Sequence, residues 1–130
     1  MPLVDAEPYP FDLEPQSAAL LIIDMQRDFL EPGGFGEALG NDVSELRRTI
    51  EPTRHLLEVA RAAGLAVIHT REGHRPDLAD LAPAKKVRGN PTLAIGDPAP
   101  MGRLLVRGEL GHDIIPELYP VAGESISAIN

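Results

Sequence analysis

The sequence of 130 residues contains no cysteine. That absence excludes disulfides, thiolate metal sites and a cysteine nucleophile within the chain, and makes the cytosol the default compartment. Basic residues are also scarce: 12 Lys and Arg stand against 20 Asp and Glu, giving a net charge of −8 and a pI near 4.9. The basic footprint of a nucleic-acid partner is therefore missing, as is attraction to an anionic membrane surface. No apolar run approaches the ~20 residues that span a bilayer. The N-terminus is acidic and proline-rich, the reverse of a signal peptide. There are no internal repeats or low-complexity tracts. The Gly33-Gly34-Phe35-Gly36 loop lacks the spaced glycines, Lys and Ser/Thr of a phosphate cradle. No helix is expected to begin directly at it, and a dinucleotide fingerprint is absent. Proline and glycine, at 13 and 12, are abundant and predict long, punctuated loops. A chain of this length makes one domain, burying roughly 65–70% of its unfolded surface.

Against these absences stands one informative stretch, residues 19–29, Ala-Leu-Leu-Ile-Ile-Asp-Met-Gln-Arg-Asp-Phe. Its apolar run ends on Asp24 and reads as a parallel strand buried on both faces. Ligands of open α/β sheets bind outside the carboxyl ends of such strands, which is where Asp24 falls. Residues 1–16, with four prolines, read as an extended lead-in arm,. Residues 31–41 form a glycine-rich loop, after which Asn41 or Asp42 can cap a helix beginning near Val43. Pro52 breaks or restarts that helix. Leu56, Leu57, Ala60 and Ala63 then recur at helical spacing until Gly64 stops them. Leu65–His69 is a second buried strand, completing a βαβ unit. The stretch 71–102, with Pro76, Pro83, Pro91, Pro98 and Pro100, reads as a long loop with one helical turn near Asp77–Leu81. Leu104–Val106 is expected as a short edge strand, Asp113–Leu118 as a short helix and Ser125–Ile129 as a third parallel strand.

Several side chains carry two readings. Asp24 is as well explained by turn or helix capping as by catalysis. Asp28 reads as a hydrogen-bond acceptor that steadies its loop. Phe29 either lines a small-molecule pocket or packs in the core. Arg71 and Arg75 either orient a carbonyl or carboxylate or lie on the surface paired with Asp77 and Asp80. His69, in an apolar strand, reads as a buried, satisfied histidine. His69, Glu72 and His74 have the residue types of a zinc site, but no further ligand follows until His112. No metal and no cofactor is expected.

The segment Leu-Ile-Ile-Asp-Met-Gln-Arg-Asp-Phe (21–29) resembles the opening of the isochorismatase-like cysteine hydrolases. Ala-Arg-Ala-Ala-Gly (60–64), Val-Ile-His-Thr-Arg-Glu-Gly-His (67–74), Arg-Pro-Asp-Leu (75–78) and His-Asp-Ile-Ile-Pro-Glu-Leu (112–118) continue the match to about residue 124. The resemblance is nearest to the branch acting on biuret- and ureidoacrylate-type amides. It implies a six-stranded parallel α/β/α sheet and an Asp–Lys–Cys triad whose thiolate attacks a small amide. The triad's Asp falls on Asp24 and the substrate-wall aromatic on Phe29, with Arg71 and Glu72 as further candidate substrate contacts. Nicotinamidase relatives bind a metal at the positions of Glu72 and His74, but their following His ligands are absent here. The family's Lys follows a Gly-Glu, here Gly123-Glu124, and its place is close to Ile129. Lys85 and Lys86, the only lysines, do not match it.

The resulting expectation is a Rossmann-like, partial α/β/α domain over 17–130, incomplete after about the third strand through truncation or a frame change near Ser125. Such a half-sheet leaves apolar faces and a strand edge bare, so marginal stability and association with a second copy or a complementing half are expected. A cooperative unfolding transition in a clean monomer would contradict this.

Overall fold

The computed structural model describes residues 2–87 and 93–130. Pro91 of the proline-rich stretch lies outside the described residues. The sheet is parallel. Strand β3 (Ala19–Ile23) pairs with β4 (Ala66–Glu72) from Ala19 opposite Ala66 to Ile23 opposite Thr70. Strand β5 (Ser125–Ile129) pairs with β4 from Ile68 opposite Ser125 to Glu72 opposite Ile129. The order is β3-β4-β5, so β4 is central. The predicted βαβ unit and third strand are both present.

Helix α4 (Ile50–Ala63) makes the crossover. Pro52 lies in its first turn, where a missing N–H is harmless. Gly64 ends it at φ 79°, a left-handed cap that glycine adopts without a Cβ penalty,. Leu57 and Ala60 of α4 are buried, as are Ile22 and Val67 on the sheet face they cover. The opposite face is open, which corrects the expectation of a strand buried on both sides. Leu21 is 52% and Ile23 60% exposed, because among the described residues no element packs over them. Every residue of β5 is exposed.

The lead-in arm is not simply extended. It folds back as a hairpin of β1 (Leu3–Val4) and β2 (Phe11–Asp12), with Leu3 opposite Asp12 and Val4 opposite Phe11. Helix α1 (Arg27–Leu30) was not foreseen. Nor was α2 (Phe35–Ala38), which begins inside the supposed glycine loop. Glycine is needed there for close approach: a Cβ on Gly34 would meet the Asp28 carbonyl oxygen at 2.4 Å, and one on Gly36 that of Phe29 at 2.7 Å. Helix α3 (Val43–Arg47) starts where predicted, and the Asp42 carboxylate accepts from the Ser44 N–H at 3.0 Å,.

Three further expectations fail for local reasons. Residues 77–81 make turns instead of a helix: Asp77 and Asp80 accept from the backbone of Ala79 and Arg75, and Leu78 sits at φ 56°. The nearby helix is α5 (Pro83–Lys86). Leu104–Val106 is a buried turn, not an edge strand, with Leu105 at φ 52° and a single bridge from Val106 to His74. Residues 113–115 pair with the chain after β3, through an Ile114–Gln26 bridge and an Ile115 N–H donated to Met25. Only a 3-10 turn at Pro116–Leu118 remains of the predicted helix.

Candidate active site at the strand ends

Asp24 follows directly on β3, at its carboxyl end, and is half-buried. Its φ of 55° is left-handed, a region that costs most non-glycine residues about 1–2 kcal/mol,. Such outliers cluster at functional sites. Its N–H continues the ladder to the Thr70 carbonyl at 3.2 Å, and its Oδ1 accepts the Thr70 hydroxyl at 2.6 Å. Asp24 does not cap a helix, since the N-cap of α1 is Gln26. Oδ2 accepts no hydrogen bond among the described residues, so one carboxylate oxygen is left for another group.

The neighbouring carboxylate on the same sheet face is Glu72, two residues beyond Thr70 in β4,. It forms an ion pair with Lys85 of α5. The lysine set aside in the middle loop is thus brought to the strand ends. Arg71 alternates to the opposite face, where its Nη1 donates to Asp113 Oδ1 at 3.3 Å,. Asp24 and Glu72 therefore share a face and Arg71 does not. Phe29 is half-buried, edge-on to Phe35 with centroids 6.3 Å apart, and joins the two apolar clusters of the core. Arg75 is exposed and paired with Asp77 at 2.8 Å.

Sequence reasoning missed Gln26. Its side chain is wholly buried and behaves as a short strand. Nε2 donates to the carbonyls of Glu72 (2.7 Å) and His112 (2.8 Å), and Oε1 accepts the Glu72 N–H at 2.7 Å. This amide ties the end of β3, the end of β4 and the 108–113 loop into one platform. An isolated Gln two residues after an acid gives no sequence signal for that. His69 is buried as expected, with Nε2 2.9 Å from Glu124, but it is only half satisfied: its Nδ1 has no partner among the described residues. His74 is buried beside Asp80, its Nδ1 3.4 Å from Asp80 Oδ1. Among the described residues no three His, Asp or Glu side chains converge as metal ligands.

Asp28 accepts the Leu105 N–H at 2.9 Å, the loop-steadying role foreseen, but it does so while 1% exposed. Burial pushes its carboxyl up to about 6; the Leu105 bond opposes this and Glu109 adds to it. A group whose folded-state affinity for protons is raised loses stability as pH rises from about 4 to 6,. His112 opposes it. Burial, then Arg71, hold its imidazole down to about 4, so stability is gained as pH rises from about 4 to 6.5,. The two act in opposite directions across one window. Asp28→Asn is expected to remove one side of the balance, gaining about 1 kcal/mol at pH 7 and nothing at pH 3.5. Urea unfolding at the two pH values checks it; an equal effect at both would refute it.

A parallel sheet with a crossover helix and a strand-end acid defines an open α/β protein, a class whose ligands bind at the carboxyl edge of the sheet. Residues 18–127 match the isochorismatase domain, and the chain belongs to that family. Ureidoacrylate amidohydrolase RutB of Caulobacter segnis is 29% identical over 133 aligned positions, covering 94% of this chain and 53% of that protein. The RutB of Agrobacterium fabrum is 30% identical, covering 92% and 54%. The solved isochorismatase family protein of Desulfovibrio vulgaris superposes with a TM-score of 0.59 at 32% identity, over 85% of this chain and 50% of that one. N-carbamoylsarcosine amidase of Thermoplasma acidophilum, at 24% identity and a TM-score of 0.58, shares the fold over 86% of this chain and 51% of its own. The chain spans about half the length of the curated relatives it matches. No described helix is long and apolar enough to cross a membrane.

Proposed function

We propose that this chain carries the acid half of a small-amide hydrolase site, cleaving a C–N bond of a ureido or related amide in the cytosol. The observation that carries the reading is Asp24, held at the end of β3 with one carboxylate oxygen bonded to Thr70 and the other without a partner among the described residues. That second oxygen is suited to draw the proton from an attacking thiol, with Phe29 as a wall and Glu72 as a polar contact for the amide. Arg71, on the far face, serves this site only by anchoring Asp113. The 130 residues hold no cysteine, and their lysines lie at 85 and 86. The nucleophile therefore comes from outside these 130 residues, which alone are inactive; Lys85, held by Glu72 at the strand ends, does not stand at the triad lysine's place in the sequence. The open face of Leu21 and Ile23 supports association with a complementing half, and equally supports a non-catalytic module that docks on a full-length homologue or a second copy.

Hydrolysis of ureidoacrylate, biuret and nicotinamide, assayed with and without the carboxyl-terminal half of a RutB relative, tests this. Turnover is expected only in the mixture, and Asp24→Asn in this chain is expected to lower it by at least about a hundredfold. Turnover by the chain alone would overturn the reading. Binding to an intact homologue with no turnover would favour the docking module.

A further inference from the structure

The Thr70 hydroxyl is committed to Asp24 both as donor and as acceptor. Its single proton goes to Asp24 Oδ1 at 2.6 Å,. Its oxygen accepts the Asp24 N–H at 3.1 Å, and the same N–H reaches the Thr70 carbonyl at 3.2 Å. A strand threonine needs no such role, because β-branched residues suit strands by shape alone. Thr70 stands opposite Ile23, the last residue of β3, so its hydroxyl reaches one position past the paired ladder to hold the residue that follows.

Asp24 is a residue that must be held. Its φ of 55° is left-handed, a conformation that a side chain with a Cβ keeps only where its surroundings impose it,. The Gln26 N–H pins the Asp24 carbonyl at 2.8 Å, and the Thr70 carbonyl pins its N–H. Those backbone bonds are made whatever side chain stands at position 70. The hydroxyl alone ties the carboxylate to the same anchor. It occupies Oδ1, and Oδ2 is left without a partner among the described residues.

We propose that Thr70 is the positioning residue of this site: its hydroxyl holds Asp24 in the left-handed conformation and presents Oδ2, not Oδ1, to the group whose proton the carboxylate takes. With the hydroxyl proton on Oδ1, a proton leaving a thiol bonds to Oδ2 and the thiolate remains. Thr70 acts only through Asp24. The effect on turnover rests on the hydrolase reading; the effect on the conformation of Asp24 does not.

The test compares the parent with Thr70→Val, which keeps the branched shape at a half-buried position without the hydroxyl, and with Thr70→Ser, which keeps the hydroxyl. In NMR of the whole chain with no partner added, a left-handed residue gives a strong cross-peak between its own amide and α protons. That cross-peak is expected at Asp24 in the parent and in Thr70→Ser, and is expected to fall to the level of ordinary strand residues in Thr70→Val. A second measurement needs no variant: the Thr70 hydroxyl proton is expected as a slowly exchanging resonance with a cross-peak to the Asp24 amide. In the mixture with the carboxyl-terminal half of a RutB relative, Thr70→Val is expected to lower kcat about tenfold at unchanged KM, and Thr70→Ser to restore it. A parent mixture without turnover would sink the hydrolase reading, and the two NMR measurements would then decide the role of Thr70 alone. A strong Asp24 cross-peak in Thr70→Val, a Thr70 hydroxyl in free exchange, or a Thr70→Ser as impaired as Thr70→Val would each overturn the proposal.

Discussion

Gln26→Leu is expected to unfold most of the chain at room temperature. The substitution keeps the volume and the burial but removes three hydrogen bonds at once. It strands the N–H and carbonyl of Glu72 and the carbonyl of His112, none of which can reach water while Gln26 stays wholly buried. Each stranded group costs about 1–3 kcal/mol, and together they approach the 5–15 kcal/mol that holds a whole domain. The loss should appear in urea unfolding followed by circular dichroism. A cost below about 1 kcal/mol would show that the platform does not depend on this amide. Gln26→Glu is expected to fare no better at neutral pH, since it sets a carboxylate against two carbonyls in place of an amide donor.

Glu124→Ala is expected to be the next most damaging change. Glu124 is the hub between α4 and β4, just before β5. Its oxygens accept from Arg61 Nε at 2.7 Å and Nη2 at 2.8 Å, lie 2.9 Å from His69 Nε2, and accept the Val121 N–H at 3.1 Å. Arg61 chiefly, then His69, pull its carboxyl down to about 2 against the effect of burial. Removing it leaves a guanidinium and a buried imidazole without their acceptor. A fully buried pair broken this way costs about 3–5 kcal/mol; Arg61 keeps 29% of its side chain in water, so about 2 kcal/mol is expected here,. The sign with pH is fixed by the lowered value. The contribution is whole above about 4.5 and fades as pH falls toward 2,. The variant and the parent should therefore converge in acid and differ most near neutrality. A gap that widened below pH 4 would contradict the ion-pair account.

The parts of the fold legible in the sequence are those set by short-range pattern. The run 19–23, the 3.6-residue spacing of Leu57 and Ala60, and Gly64 each declare their element within a few positions. What stayed hidden depends on pairing across the chain. Residues 113–115 have the spacing of a helix, but the Ile115 N–H bonds to Met25 and the strand-like bridge wins. The turn at Leu105 exists because its N–H is claimed by Asp28, 77 positions away. The same distinction holds at the candidate site. Asp24 was marked by the end of its strand, whereas Gln26 gains its part only from residues 72 and 112. Strand alternation explains why Arg71 and Glu72, adjacent in sequence, face different compartments. The two-sided burial expected of β3 followed from its composition, and composition alone does not say whether a second layer is present to cover it.

The three-stranded sheet has one more consequence. Among the described residues neither β3 nor β5 carries a neighbour on its outer side, so the ladder can be extended in both directions. A contact between the β3 border of one copy and the β5 border of the next is heterologous and builds an open series wherever its rotation does not close a ring. Self-assembly in that open mode would follow a polymer growth law, with mean size rising continuously with concentration and no plateau at a dimer. Capping one border with a charged or proline-bearing strand would turn that open series into a defined stoichiometry.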